Sequence, residues 1–206
     1  MKILRPIGIS LIVVLAAIAT GCGYNSLVGA DEETKAAWGQ VENVYQRRAD
    51  LIPNLVATVK GSAAHEQNTL SAVTQARAEA TQVKLTTSDL SDPAKLRAFE
   101  QAQGQLSQSL GRLLAVAENY PDLKANASFR DLQSQLEGTE NRITVARKRY
   151  IDSVQAFNTT VRSFPTNLTA MLFKMDVKPN FTVENEAAIA KPPAVDFGKG
   201  APDKKS

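Results

Sequence analysis

The stretch DLKANASFRDLQSQLEGTENRITVARKRYIDSVQAFNTTVRSF, residues 122–164, contains no proline and decides the fold class. Apolar and small residues recur along it in steps of three and four, and ten steps cover 35 residues, a mean of 3.5. The positions of this seam are Phe129, Leu132, Leu136, Thr139, Ile143, Ala146, Tyr150, Val154, Phe157, Val161 and Phe164. That period places one narrow stripe toward partner helices, as in coiled coils and long bundles. Gly138 lies inside the stretch, where we expect either a close helix contact or a local bend.

A second helical segment precedes this one and is bounded by clear signals. Asp92 is a favourable N-cap, and Pro93 occupies the first helical position, where proline is well tolerated. Its seam consists of Leu96, Phe99, Leu106, Leu110, Leu113, Ala117 and Tyr120. Because Pro121 follows directly, we expect this helix to end near Tyr120.

The first helical segment begins near Asp31, and its apolar steps continue across Pro53 as far as Val83. A proline inside a helix removes one hydrogen bond and bends the axis without always ending the helix. We therefore expect a kinked long helix or two helices nearly end to end. Since no segment shows the alternation typical of strands, the sequence predicts an all-α fold.

The chain changes character after Val177. Before that point, a short apolar helix is expected over residues 167–174. Three of its side chains would cap the end of the bundle: Leu168, Met171 and Leu172. Residues 177–206 are rich in Pro and Gly and are expected to be extended or disordered. Three apolar residues there could strap the tail across a helix pair: Phe181, Val195 and Phe197.

The N-terminus has the profile of an export signal. Lys2 and Arg5 precede an apolar run, Ile7 to Ala19, of 13 residues. As a helix this run reaches about 20 Å, which is short of the roughly 30 Å hydrocarbon core of a bilayer. We therefore predict a lipoprotein-type signal peptide or a signal anchor over residues 1–21, followed by a linker over residues 22–30. In both cases the basic N-terminal flank predicts that the bulk of the chain lies outside the cytoplasm.

Cys22 is the single cysteine and follows small residues in the sequence Ala19-Thr20-Gly21-Cys22. This sequence resembles the lipobox of bacterial lipoproteins, which implies lipidation of Cys22 and a palmitate-labelled mature protein. Several acyl chains hold a soluble domain firmly on a bilayer, whereas one chain holds it only marginally. Gly23 after the cysteine suggests, by analogy with enterobacterial sorting, transfer to the outer membrane. The alternative is an uncleaved signal anchor.

Composition argues against several function classes. The formal net charge is +3, and removal of residues 1–21 leaves 22 basic and 21 acidic residues. Without a basic run, an aromatic stacking platform or a Gly-rich phosphate loop, no nucleic acid partner is expected. With one His in the chain, His65 beside Glu66, we expect no metal site, no other cofactor and no catalytic residues.

Several ordered motifs resemble the LemA family of bacterial envelope proteins. They are GYNSLV from Gly23, YQRRADLIPNLV from Tyr45, ENYPDLKA from Glu118 and LEGTENRI from Leu136. The resemblance implies an antiparallel helical bundle of about four long helices, here residues 31–176, anchored to a membrane at its N-terminus. It also implies no established enzymatic activity, and a TPM-domain protein as a candidate partner, because family members are often encoded near such proteins. One relative serves magnetosome membrane formation. Cys22 departs from the many members that look signal-anchored.

Polar residues flank the seams of the first and third segments. They are Arg47, Arg48, Asp50 and Asn54 on the first, and Glu137, Glu140, Asn141 and Arg142 on the third. Charged groups close to a core need partners, so an arginine of the first segment is expected to pair with Glu137 or Glu140 across the helices. The alternative is that these residues form a recognition patch for another envelope protein.

Two functions remain open from the sequence. The first is a membrane-tethered, non-catalytic interaction or scaffold protein of the cell envelope, with the bundle on the periplasmic side. The second is an accessory or weak hydrolytic enzyme that uses carboxylates in a bundle cleft. Convergent carboxylates in a concave pocket would favour the enzyme, and an exposed apolar stripe without such a pocket would favour the interaction protein.

Overall fold

The computed structural model describes residues 4–63 and 65–181, with side chains from residue 23 onward. Within these ranges the fold is all-α, as predicted. The helices are α1 Leu4–Ser62, α2 Gln67–Gln82, α3 Pro93–Ala117, α4 Pro121–Ala125, α5 Ala127–Arg162 and α6 Thr166–Leu172, with one 3₁₀ turn at Asp89–Ser91. The side chains of residues 1–22, which include the apolar run and Cys22, lie outside the described set.

Helix α1 is longer than expected at its N-terminal side. It spans 59 residues and continues through Pro53, so the predicted helix start near Asp31 is wrong and residues 22–30, predicted to be a linker, are helical. The physical reason is packing, because Leu27 is completely buried and Gly23 lies against α6. Tertiary contacts therefore keep this segment helical where no propensity signal predicts it.

The end-to-end continuation past Ser62 is also wrong, because the chain turns back between α1 and α2. Arg77 Nε of α2 donates a hydrogen bond to the Ala49 carbonyl of α1 at 2.7 Å, which fixes an antiparallel hairpin. Helix α2 then packs antiparallel to α3, and Gln103 Nε2 donates to the Ala80 carbonyl at 3.3 Å. Asp92 caps α3 as predicted, since its Oδ1 accepts the Ala94 amide at 2.8 Å.

Helix α5 packs antiparallel along α1 and buries most of the predicted seam. An aromatic cluster joins the two helices, with the rings of Trp38 and Tyr150 5.3 Å apart. Phe164, the last seam position, is 81% exposed because α5 has already ended at Arg162. No atom of the described residues outside α5 lies within 4 Å of a Cβ built on Gly138, which contradicts a close helix contact there.

The segment after α5 differs from the expected cap. Leu168, Met171 and Leu172 are exposed, whereas Thr169 and Ala170 face the bundle. They do so because the approach of Gly23 to α6 leaves room only for small side chains. Phe181 is buried and straps the chain onto α1 and α5, as predicted, while Val195 and Phe197 lie outside the described residues.

Of the four long helices, α1, α2, α3 and α5, the neighbours α3 and α5 do not pack closely against each other, which leaves one edge of the arrangement open. The closest helix pairs are α1 with α5, α2 with α3, and α1 with α2, whereas α3 and α5 make no comparably close backbone approach. A groove therefore separates α3 from α5. Over the residues described with side chains, no helix has the length and apolar character needed to cross a membrane.

Candidate functional site

The open edge between α3 and α5 forms a polar concavity. Its volume is about 540 Å³, and side chains from α1 form its floor. We call it the Arg48 groove. Its lining residues are Tyr45, Arg48, Gln103, Gly104, Ser107, Glu140, Ile143, Thr144, Arg147, Lys148 and Ile151.

Arg48 is the most buried charged residue of the groove, with 1% of the residue exposed. Its Nη1 donates to Ser107 Oγ at 2.7 Å and to Glu140 Oε2 at 3.1 Å. Its Nη2 donates to the Gln103 side-chain oxygen at 2.6 Å and to the Gln103 carbonyl at 3.3 Å. One guanidinium group thus ties α1 to both α3 and α5, across the edge where the backbones of those two helices do not approach closely.

The surroundings of Arg48 explain how a charge is tolerated at this depth. The guanidinium carbon lies 5.0 Å from the centre of the Tyr45 ring, a distance at which a cation is attracted to an aromatic face. The Glu140 side chain is 53% exposed, so its carboxylate neutralises the buried charge while it keeps contact with water. Because each Nη atom has acceptors, the desolvation cost of the buried guanidinium is largely offset. Nε has no hydrogen-bond partner among the described residues.

A second arginine, Arg147, lines the same groove from α5. It forms an ion pair with the buried carboxylate of Glu100 at 3.4 Å, and its guanidinium carbon lies 4.5 Å from the centre of the Phe181 ring. Burial raises the pKa of the Tyr45 phenol, and the nearby Arg147 and Arg48 oppose that rise only in part. Tyr45 therefore stays neutral at ordinary pH and presents an uncharged ring and hydroxyl between two cations.

Of the eight polar residues singled out from the sequence, the structure brings Arg48 and Glu140 together in the groove. The other six do not line the groove. Arg47 donates to Gln135 at 3.4 Å, and Asp50 accepts from Gln46 at 2.7 Å.

Four further predicted residues also lie away from the groove. Glu137 accepts from Gln133 on the same helix at 3.1 Å, and Asn54 is exposed on α1. Asn141 and Arg142 line a shallower depression on the other flank of α5, together with Val145. The predicted pairing of an arginine of the first segment with Glu140 is therefore present, and a partner-binding role for the exposed residues stays a prediction.

Sequence reasoning missed the residues of α3 that hold Arg48. A signal was present, because the predicted seam of α3 steps directly from Phe99 to Leu106, and Gln103 occupies the omitted position. Gln103 is buried, as a seam residue should be. A polar residue at an apolar position predicts a buried polar partner, which here is Arg48.

The groove contains few of the side chains that hydrolytic catalysis requires. Glu140 is the only carboxylate among its described lining residues, and Arg48 already donates to it. His65 is exposed in the turn after α1, and its neighbour Glu66 accepts a hydrogen bond from the Tyr120 hydroxyl at 2.8 Å. In the described part of the chain, no three His, Cys, Asp or Glu residues are grouped to hold a metal ion. Convergent carboxylates, which the enzyme hypothesis requires, are not found in this groove.

Comparison with known protein families identifies the relationship. The family model described as the LemA family matches residues 37–197, which include α2 to α6 and most of α1 that follows the N-terminal run. The chain belongs to the LemA family. Each residue of the Arg48 groove falls inside the matched region.

Individual relatives share only 25–29% of their aligned residues with this chain. Magnetosome protein MamQ 2 of Paramagnetospirillum magneticum is 29% identical over 185 residues, covering 80% of this chain and 66% of the relative. Magnetosome protein MamQ of Magnetospirillum gryphiswaldense is 26% identical over 169 residues, covering 72% and 61%. Protein LemA of Metamycoplasma hominis is 25% identical over 153 residues, covering 74% and 65%. The chain thus spans slightly less than two thirds of the length of the relatives it matches.

Proposed function

We propose that this protein is a membrane-tethered, non-catalytic interaction protein of the bacterial cell envelope. In this proposal α1, α2, α3 and α5 form an antiparallel four-helix bundle that stands on the periplasmic side of the membrane. The family relationship supports the proposal, since two of the relatives are named as magnetosome proteins. The basic and apolar N-terminal run supports the membrane tether and its orientation.

The tether is either a lipid on Cys22 or an uncleaved signal anchor that includes the apolar run. Helix α1 supports a stiff connection in both cases, because its backbone is helical from Leu4 to Ser62. A bundle joined in this way is held at a fixed distance from the membrane, because the connection is a rigid helix and not a flexible linker. Radiolabelled palmitate should enter the wild-type protein, and Cys22→Ala should block the labelling. Equal labelling of both proteins, or of neither, would exclude the lipid.

The Arg48 groove is the observation that carries the interaction function. Its α5 wall presents the partly exposed Arg147 above a floor of Tyr45 and Arg48, and tyrosine and arginine are enriched in the energetically important parts of protein interfaces. Its deeper polar groups are already satisfied within the fold, so a partner would not have to desolvate a free charge at the floor. We propose that a segment of another envelope protein binds along this groove, with a TPM-domain protein as the first candidate.

A matched pair of neighbouring substitutions tests the groove. Thr144 is exposed and lines the groove, whereas the adjacent Val145 is exposed on the other flank of α5. Thr144→Arg should therefore block the groove, and Val145→Arg should add the same side chain without doing so. Binding of a purified TPM-domain protein from the same genome should weaken by at least about tenfold in the first variant, a loss of about 1.4 kcal/mol, and stay unchanged in the second.

Envelope proteins recovered after chemical crosslinking extend this test beyond the first candidate. A partner that uses the groove should be present with the wild type and with Val145→Arg, and depleted with Thr144→Arg. Identical sets of crosslinked proteins from all three chains would contradict the proposed groove function.

A further inference from the structure

We propose that the α6 end of the bundle docks on the surface of the lipid bilayer, with one apolar face of α6 inserted at the headgroup level. This inference rests on the proposed membrane tether. The surface, which we call the α6 face, consists of Phe164, Leu168, Met171, Leu172 and Phe173. It gives the bundle a second contact with the membrane that holds the N-terminus.

The α6 face is the most exposed apolar surface in the described part of the chain. Phe164 is 81% exposed, Met171 79% and Leu172 69%. Leu168, Met171 and Leu172 are spaced by three and four residues, so they lie on one side of the helix. The opposite side is buried through Thr169 and Ala170. Contiguous exposed apolar residues on an otherwise well-packed domain mark a contact surface.

The position of α6 identifies the lipid bilayer as the occupant. A Cβ built on Gly23 would lie 2.9 Å from Thr169 Oγ1, and the rings of Tyr24 and Phe173 are 4.6 Å apart. Gly23 follows Cys22 directly and lies four residues after Ala19, the last residue of the apolar run. Four helical residues correspond to about 6 Å. The α6 face therefore lies at the height at which either form of the tether leaves the bilayer.

The chemistry of the face also suits a bilayer interface. Aromatic side chains are enriched at that level, and the face with its neighbour Tyr24 supplies three of them. Residues 162–176 contain Arg162 and Lys174 and one acidic residue, Asp176, so this segment has a net charge of +1 and does not repel anionic headgroups. An amphipathic helix at the interface buries its apolar side by about 5–10 Å. A helix of seven residues would bind weakly alone, but the tether supplies a high effective concentration.

Docking at α6 would fix the orientation of the whole bundle. Arg48 lies 25 residues beyond Gly23 on the same helix, which is about 38 Å along the axis. With α1 tethered and the α6 face on the bilayer, the tilt of the bundle would be fixed as well as its height, so the Arg48 groove would face a defined direction.

Tryptophan quenching in vesicles tests the docking directly. The full chain, processed as in the cell, is reconstituted into vesicles of phosphatidylethanolamine and phosphatidylglycerol whose acyl chains carry bromine near the headgroup. Met171→Trp places a probe on the α6 face, and Val145→Trp places one on an exposed site of α5 about 30 Å higher. Trp38 is buried in both variants and gives the same background.

The proposal predicts that Met171→Trp loses most of its added emission in brominated vesicles, while Val145→Trp behaves like the wild type. Flotation of the protein with the vesicles tests the membrane tether separately from the docking of the α6 face. A chain that does not float overturns both the tether and the docking. A chain that floats without quenching at residue 171 overturns the docking alone. Blue-shifted emission without quenching would also overturn it, because it would show that protein, such as a second copy of the chain, covers the face.

Discussion

Removal of the Arg48 side chain should destabilise the fold far more than removal of its ion-pair partner Glu140. Arg48→Ala deletes a buried side chain, empties its volume and leaves the buried Gln103 oxygens without their donor. Loss of a large buried side chain, together with the hydrogen bonds that satisfy buried acceptors, costs about 3–5 kcal/mol of unfolding free energy. Glu140 is 53% exposed, and Arg48 keeps Ser107 and Gln103 when the carboxylate is lost. We therefore expect Glu140→Ala to cost about 1 kcal/mol.

A pair buried on both sides would give large losses for both residues, whereas the unequal burial of Arg48 and Glu140 predicts unequal losses. Once Arg48 is absent, Glu140 has nothing left to neutralise in the groove. The double variant should therefore resemble Arg48→Ala, with a coupling energy of about 1 kcal/mol. Arg48→Met serves as a control because it fills much of the volume without donors, and it should recover part of the packing loss.

Urea unfolding of residues 23–206 measures these differences, with far-UV circular dichroism for the helices and Trp38 fluorescence for the core. A loss below about 1 kcal/mol for Arg48→Ala would show that the guanidinium is solvated rather than buried in a network. Equal losses for Arg48→Ala and Glu140→Ala would refute the reasoning from exposure. Strict additivity in the double variant would show that the two residues do not interact.

Three further predictions concern stability. Gly138→Ala should stabilise the fold by about 0.5–1 kcal/mol, measured by urea unfolding, because the new methyl group meets no neighbour and α5 gains helix propensity. Asp92→Ala should lower the thermal midpoint and cost about 1 kcal/mol, since it removes the cap of α3, and Asp92→Asn should retain most of that stability. Burial raises the pKa of Tyr150 to about 12, and its hydroxyl has no hydrogen-bond partner among the described residues. The folded protein thus holds this proton more tightly than the unfolded chain, whose phenol pKa is about 10. Its contribution to stability is complete below pH about 10 and is lost as the pH rises toward 12. Tyr150→Phe should match or exceed the wild type at pH 7 and lose less stability above pH about 10, and unchanged alkaline behaviour would contradict the assignment.

Periodicity predicts the helices of this chain well because each long helix buries a continuous stripe. The seam of α5 is recovered from Phe129 to Phe157, and the cap at Asp92 marks the start of α3. Two boundaries could not be predicted. Helix α1 extends before Asp31 because Leu27 is buried and Gly23 packs on α6, a contact between residues about 140 positions apart. The turn at residues 63–66 has no proline, so its local signals do not oppose a continuing helix.

The Arg48 groove is only partly encoded in local sequence patterns. Arg48 lies beside the seam of the first segment, where a charged residue needs a partner, and Glu140 is a residue of the opposite charge on the third segment. Gln103 could have been recognised from its place between Phe99 and Leu106. The open edge between α3 and α5 could not, because it depends on which helix pairs approach closely and not on the pattern of any one helix.

Site-specific photocrosslinking in living cells most directly tests whether this protein is a tethered interaction module whose groove binds a partner. p-Benzoylphenylalanine replaces Thr144 in the groove or Val145 on the opposite flank of α5, in the full chain expressed in its own host. After illumination, the membrane fraction is separated and adducts are identified by mass spectrometry. We predict a discrete protein adduct in the membrane fraction from position 144 and none of that mass from position 145. Adducts that are the same from both positions, or no adduct from position 144, would contradict the proposed function.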